Sequence, residues 1–160
     1  MGTQAKRRPQ LALGFDAQTP DSAMRWRDGA ALPYLGDCLT LRLNTDCKEA
    51  LQAGGELHLP LPPEATARQI QDAAESWLRA CALRMVTAQA AIAARQLGRD
   101  TPKVSLSFAA HGHWIQPDER GLRCHWRLIE QPRQTIVQTV ERAVAALPRI
   151  ETSLDLFAFA

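Results

Sequence analysis

The sequence is short of most features that would declare a function. No apolar run approaches the ~20 residues needed to span a bilayer. The opening MGTQAKRRPQLALGF has basic residues and a short apolar stretch but no small-residue cleavage site. It also misses the myristoylation pattern, because Lys6 stands where Ser or Thr is required. These absences predict a cytoplasmic protein that does not engage a membrane. Charge of one sign is scarce too: 19 basic against 17 acidic side chains leave a net +2, which argues against nucleic acid as a partner. Cys38, Cys47, Cys81 and Cys124 are scattered with no C-x-x-C pair, so reduced thiols are expected rather than disulfides or a zinc knuckle. Ser105, Ser107 and Ser153 lack a Gly-x-Ser-x-Gly elbow. Gly54-Gly55 falls in a hairpin turn and not in a phosphate-binding loop.

What is present is the balance of a soluble globular protein, 46% apolar and 22% charged over 160 residues, enough for one domain with a single core. Residues 1–24 are polar, with Pro9, Gly14 and Pro20, and are predicted to be a flexible N-terminal arm; residues 25–160 form the domain. Leu39, Leu41 and Leu43 alternate with Thr40 and Arg42, and Leu57, Leu59 and Leu61 alternate with His58 and Pro60. Two such stretches around Gly54-Gly55 predict a hairpin, with His58 on its solvated side. Thr66 and Gln69 have capping-box spacing at the start of a helix of roughly 30 residues that Gly98 ends. Ile70, Ala73, Ala74, Trp77, Cys81, Met85 and Ile92 are its expected buried stripe. PKVSLSF predicts another strand, with Val104, Leu106 and Phe108 on one face. Pro132 opens a second helix with Ile136, Val140, Ala143, Val144 and Leu147 buried, and Pro148 stops it. The tail SLDLFAFA is apolar enough to dock on the core. This order of elements predicts an α+β fold.

The segment HGHWIQPDERGLRCHWRLI, residues 111–129, reads as a further hairpin turning at PDERG, and it concentrates potential metal ligands. His111 and His113 share a face of an extended segment, whereas the neighbours Cys124 and His125 point to opposite faces, so at most three of the four converge. Three ligands and an open water position are the pattern of catalytic zinc. Against this, the spacing matches no recognised zinc pattern, and Trp114 and Trp126 flank the ligands as packing groups. No cofactor is therefore expected. The alternative is a metal-dependent hydrolase that holds zinc through His111, His113 and His125. Asp118-Glu119 lies in the polar turn and is expected to be solvated.

The succession YLGDCLTLRL, ELHLPLPP, a long helix with AESWLRACA, then VSLS and LRCHWRLIEQP resembles the YgjP-like metallopeptidase family, zincin-like and related to SprT proteases, from about Trp26 onward. The resemblance implies a zincin-like fold: a long helix, a small antiparallel sheet and a second helix that carries H-E-x-x-H after a Trp-Arg-Leu-Ile strand. There, two histidines one turn apart bind zinc, the glutamate activates the metal-bound water, and a third histidine follows. Aligned without gaps from Trp126, this chain places Arg142 at the first histidine, Ala143 at the glutamate, Ala146 at the second histidine and Thr152 at the third. No histidine occurs after His125, so no shift of register restores the motif. The family's Trp-Gly-Ser-Cys turn reads HWIQ here and keeps only Trp114. The resemblance therefore implies a degenerate member without zinc or catalysis, acting through a protein or peptide partner.

Overall fold

The computed structural model describes residues 24–108 and 112–149. The predicted N-terminal arm, apart from Met24, lies outside them, as do His111, Thr152 and the apolar tail. The elements run β1 (Ala31–Tyr34), β2 (Asp37–Leu43), β3 (Leu51–Ala53), β4 (Glu56–Leu59), α1 (Ala67–Gln96), β5 (Lys103–Ser107), β6 (Ile115–Asp118), β7 (Gly121–His125), a 3-10 helix (Trp126–Glu130) and α2 (Arg133–Ala146). The architecture is α+β, as expected, and it divides into two compact units. Among the described residues the first holds 24–33 and 37–77, and the second holds 34–36, 78–108 and 112–149.

In the first unit the strand order is β1-β2-β4-β3. Leu39, Leu41, Leu57 and Leu59 are buried, as the alternation predicts, and so is Leu32 of β1, whereas Leu43 and Leu61, expected in the same rows, are half-buried. Their pairing differs from expectation. The Gly54-Gly55 turn joins β4 to the short β3, antiparallel, whereas β2 runs parallel to β4 with Leu41 opposite Leu57. Leu61 lies past the end of β4. On the outer face Glu56 bridges Arg42 and His58, each at 3.1 Å. His58 is thus half-buried and paired, not simply solvated. Helix α1 opens with the predicted capping box: the Gln69 N–H donates to Thr66 Oγ1 (3.2 Å) and the Thr66 N–H to Gln69 Oε1 (2.9 Å). Its first turns bury Ile70 and Ala74 and one carboxylate, Glu75, which accepts from Gln71 Nε2 at 3.1 Å.

In the second unit the strand order is β5-β7-β6, with β5 parallel and β6 antiparallel to β7. The expected hairpin is present, but as β6, a turn at Glu119-Arg120 and β7 alone. Trp126–Glu130 is a 3-10 helix instead of a continuing strand. Trp126, Leu128 and Ile129 all point inward, and a strand would have sent Leu128 and Ile129 to opposite faces. Helix α2 packs against β6 and the 3-10 helix with Ile136, Val140 and Val144 buried. Ala143 and Leu147, expected in that stripe, are only half-buried. In α1 the buried seam of this unit is Leu78, Ala82, Val86, Ala90 and Ala94, with Cys81 and Ala93 beside it. Trp77 and Met85 are half-buried and Ile92 is exposed, so the predicted stripe is rotated. The helix ends in a Schellman arrangement, with the Arg99 N–H bonded to Ala94 O (2.8 Å) and the Gly98 N–H to Arg95 O (3.2 Å). Arg99 Nη1 then donates to Val144 O (2.9 Å) and Leu147 O (2.8 Å), closing the C-terminal end of α2. The β1–β2 turn belongs to this unit. Leu35 and Gly36 take φ of +51° and +79°, and their N–H groups donate to Ile129 O (2.8 Å) and Glu130 O (3.0 Å). A Cβ on Gly36 would stand 2.9 Å from Pro132 Cγ, so both the turn and the contact call for glycine there.

Candidate functional site

The positions that the resemblance makes catalytic lie on the second half of α2. Successive helical residues turn by about 100°, so Arg142 falls opposite the Ile136, Val140 and Val144 seam. Arg142 and Ala146 are exposed and Ala143 is half-buried. None offers a metal an electron pair: a guanidinium is all donors, and alanine has no heteroatom. The same face begins with Thr135 and Thr139, where the Thr139 hydroxyl donates back to the Thr135 carbonyl at 2.7 Å. Zinc does not fit this face as it stands. Thr152, the last position of the set, lies outside the described residues.

The hairpin residues are placed differently from one another. Cys124 is fully buried on the inner face of β7, with Leu122 and Ile115 buried beside it. Its Sγ–H donates to His125 O at 3.3 Å, and burial pushes the thiol up to about 12, far from a ready thiolate ligand. His125 faces outward. Its N–H donates to Trp114 O (2.8 Å), and its Nδ1 accepts from the Arg127 N–H at 3.2 Å. A neutral imidazole that accepts at Nδ1 carries its proton on Nε2, and there presents a donor instead of a lone pair. Its ring stacks on Trp126 (centroids 6.3 Å apart, 17° between planes) and meets Trp114 edge-on at 6.0 Å. His113 is exposed, and His111 lies outside the described residues. Among the described residues no three His, Cys, Asp or Glu side chains gather where they could hold a metal ion.

Around that hairpin are groups that sequence reasoning did not single out. Arg79 reaches from α1 to place its guanidinium 5.5 Å from the Trp126 ring centre and 5.4 Å from that of Phe108. Arg127 lies over Trp126 at 5.2 Å. Phe108, expected on one face of a strand with Val104 and Leu106, is 65% exposed just past the end of β5, while those two are half-buried. A second cluster joins Tyr34 to Cys81, Arg84 and Arg133. Arg84 Nη2 donates to Cys81 Sγ at 3.3 Å, while burial pushes the thiol up against the pull of that arginine. Burial also raises the Tyr34 hydroxyl, and the Cys81 charge adds to it against Arg133 and Arg84. Spacing gives no sign of either cluster, since each joins residues far apart in the chain. The one available cue was that Tyr34 is the sole tyrosine.

Among the described residues no helix is long and apolar enough to cross a membrane. A family model described as YgjP-like, metallopeptidase domain, matches residues 11–138, most of the chain. That match starts inside the segment read as an arm and stops short of Arg142. No curated protein and no solved structure matches the chain.

Proposed function

The chain belongs to the YgjP-like metallopeptidase family, and on that premise we propose that it is a pseudoenzyme, a member that has lost zinc binding and catalysis and works as a binding module. The observation that carries this reading is the chemistry of α2. Where the family's motif supplies two imidazoles and a carboxylate, the helix has Arg142, Ala143 and Ala146, and the chain has no histidine beyond His125. Without ligands there is no metal-bound water, and without the glutamate there is no base to activate one. The partner in this reading is a protein or peptide, the class of ligand a peptidase scaffold is shaped to take. All four cysteines are free, which supports a reducing, cytoplasmic setting.

Elemental analysis of untagged protein purified from zinc-supplemented medium tests the proposal, with only substoichiometric zinc expected. One tightly held zinc per chain overturns it. If that zinc were then lost in His113→Ala or His125→Ala, the hairpin hydrolase would take its place. The alignment has its own test in the combined variant Arg142→His, Ala143→Glu, Ala146→His and Thr152→His. This variant is expected to bind zinc more tightly than the parent by calorimetry, without regaining proteolysis. Ligand histidines also need partners on their second nitrogens, which typically matter ~10–100-fold.

A further inference from the structure

The near-neutral net charge conceals a segregation. The described residues of the first unit carry five basic side chains against eight carboxylates, a net of −3. Those of the second unit, 34–36, 78–108 and 112–149, carry ten arginines and Lys103 against only Asp100, Asp118, Glu119, Glu130 and Glu141, a net of +6 with histidine neutral. The expectation drawn from the whole-chain balance therefore does not apply to this unit by itself.

Pleating decides where some of that charge points. In β7 Leu122 and Cys124 are buried, so Arg123 and His125 project from the other face. The register sets Lys103 opposite Gly121, Ser105 opposite Arg123 and Ser107 opposite His125 on one side, and Gln116 opposite Arg123 on the other. Paired residues share a face of the sheet. Trp114 is two residues before Gln116, and its ring against His125 places it on the same open face, 38% exposed. Arg127, exposed, extends the cationic group beyond the strand end. The one carboxylate on this face that pairs with it, Asp118, holds Arg123 at 3.4 Å, an exposed contact that another anion can replace at little cost.

We propose that this open face of the three-stranded sheet binds single-stranded nucleic acid. Trp114 and the His125 ring, itself backed by Trp126, are the surfaces on which bases stack. Lys103, Arg123 and Arg127 meet the phosphates, and the His125 Nε2–H is a further donor towards them. Aromatic rings interleaved with cations on an exposed sheet are what a single strand needs, because its bases are free to stack while its backbone requires neutralising. This ligand is of a different class from the protein or peptide proposed above, and it stands whether or not zinc is lost.

Fluorescence anisotropy of the full chain with a labelled oligothymidylate of 20 nucleotides tests it. Binding is expected to weaken by about twentyfold between 50 and 200 mM salt if Lys103, Arg123 and Arg127 each neutralise one phosphate. Trp114→Ala should lower affinity about tenfold at either salt concentration, because stacking is lost while charge is not. Arg123→Gln with Arg127→Gln should flatten the salt dependence instead. Circular dichroism should show each variant folded like the parent; the arginine variant should keep the parent's melting midpoint, while Trp114→Ala, which gives up its ring contact with His125, should lower it modestly. Failure to bind the probe at 50 mM salt overturns the proposal. So does stronger binding to a duplex of the same length. Undiminished binding by a folded Trp114→Ala variant overturns it as well, since the face would then be an unspecific polyanion surface, or would serve the protein partner.

Discussion

Gly121→Ala should strike the second unit at one seam. Gly121 lies opposite Lys103 where β7 and β5 run parallel, and a Cβ built there would overlap the backbone of Lys103: its carbonyl oxygen, its nitrogen (2.8 Å) and its carbonyl carbon (2.9 Å). Real Cβ atoms do not approach so closely, and the obstacle is main chain, which cannot swing aside as a flexible side chain would. One strand must move away from the other. Inserting a methyl into a packed interior costs about 1–3 kcal/mol when side chains yield, so about 3 kcal/mol is expected where the backbone must. With a urea slope of about 2 kcal/mol per molar, the unfolding midpoint should fall by about 1.5 M. Amide exchange across Lys103–Ser107 should quicken as the strand loses its partner. Gly55→Ala is the control, because a Cβ there meets nothing within 4 Å. Its midpoint should stay within about 0.25 M of the parent, the range of ordinary surface changes. A Gly121→Ala midpoint no lower than that of Gly55→Ala would refute the reasoning.

Two further outcomes follow from burial and capping. Cys124 is pushed from 9.0 up to about 12, so the folded chain keeps this proton at alkaline pH while the unfolded chain gives it up. Stability from this group is therefore complete below about pH 9 and declines from there towards pH 12, at up to roughly 1.4 kcal/mol per unit. Urea midpoints at pH 8 and pH 10.5 read the effect, Cys124→Ala should reduce the difference between them, and equal midpoints for the parent would contradict it. The two arginines of α2's surroundings should behave oppositely in thermal melts. Arg99→Met frees the carbonyls of Val144 and Leu147 and should cost about 2 kcal/mol, whereas the exposed Arg142→Ala should cost no more than about 0.5 kcal/mol. Equal losses would mean that Arg142 is held as firmly as Arg99.

Local chemistry was legible wherever the sequence spells out its own geometry. Thr66 with Gln69 marks the start of α1, Pro132 marks α2, and PDERG marks the β6–β7 turn. Partners were less legible. Alternating leucines tell which face of a strand is buried, but they read the same beside a parallel or an antiparallel neighbour, so the sequence alone makes β2 and β4 look like the arms of one hairpin. The seam of α1 is masked in the sequence because Trp77, Met85 and Ile92 dominate the periodic pattern, while Ala82, Ala90 and Ala94 are among the positions that bury. Alanine allows close approach but adds little contrast to a periodic pattern. In Trp126–Glu130 the sequence itself carries the signal, since three apolar residues among four do not fit the alternation of a half-buried strand. On α2 the residue types at positions 142, 143 and 146, arginine and two alanines, are plain from the sequence itself and need no fold to be read. The arginine–aromatic stack and the unit-by-unit charge were hidden, the first because it joins distant segments and the second because an average over the chain cancels it.

Both sheets repeat one plan: a strand, then a two-stranded hairpin whose returning arm lies alongside the first strand in the same direction, β2 with β3–β4 and β5 with β6–β7. That plan sets a timetable for folding. Each hairpin closes over a few residues and can form within about 1–10 μs, whereas each parallel seam joins residues well separated in the chain and must first meet a larger loop-closing entropy. The hairpins are thus expected as early structure and the parallel seams as the late, rate-setting steps. During that interval the inner edges of β4 and β7 are unpaired, and nascent chains are most open there to pairing with one another.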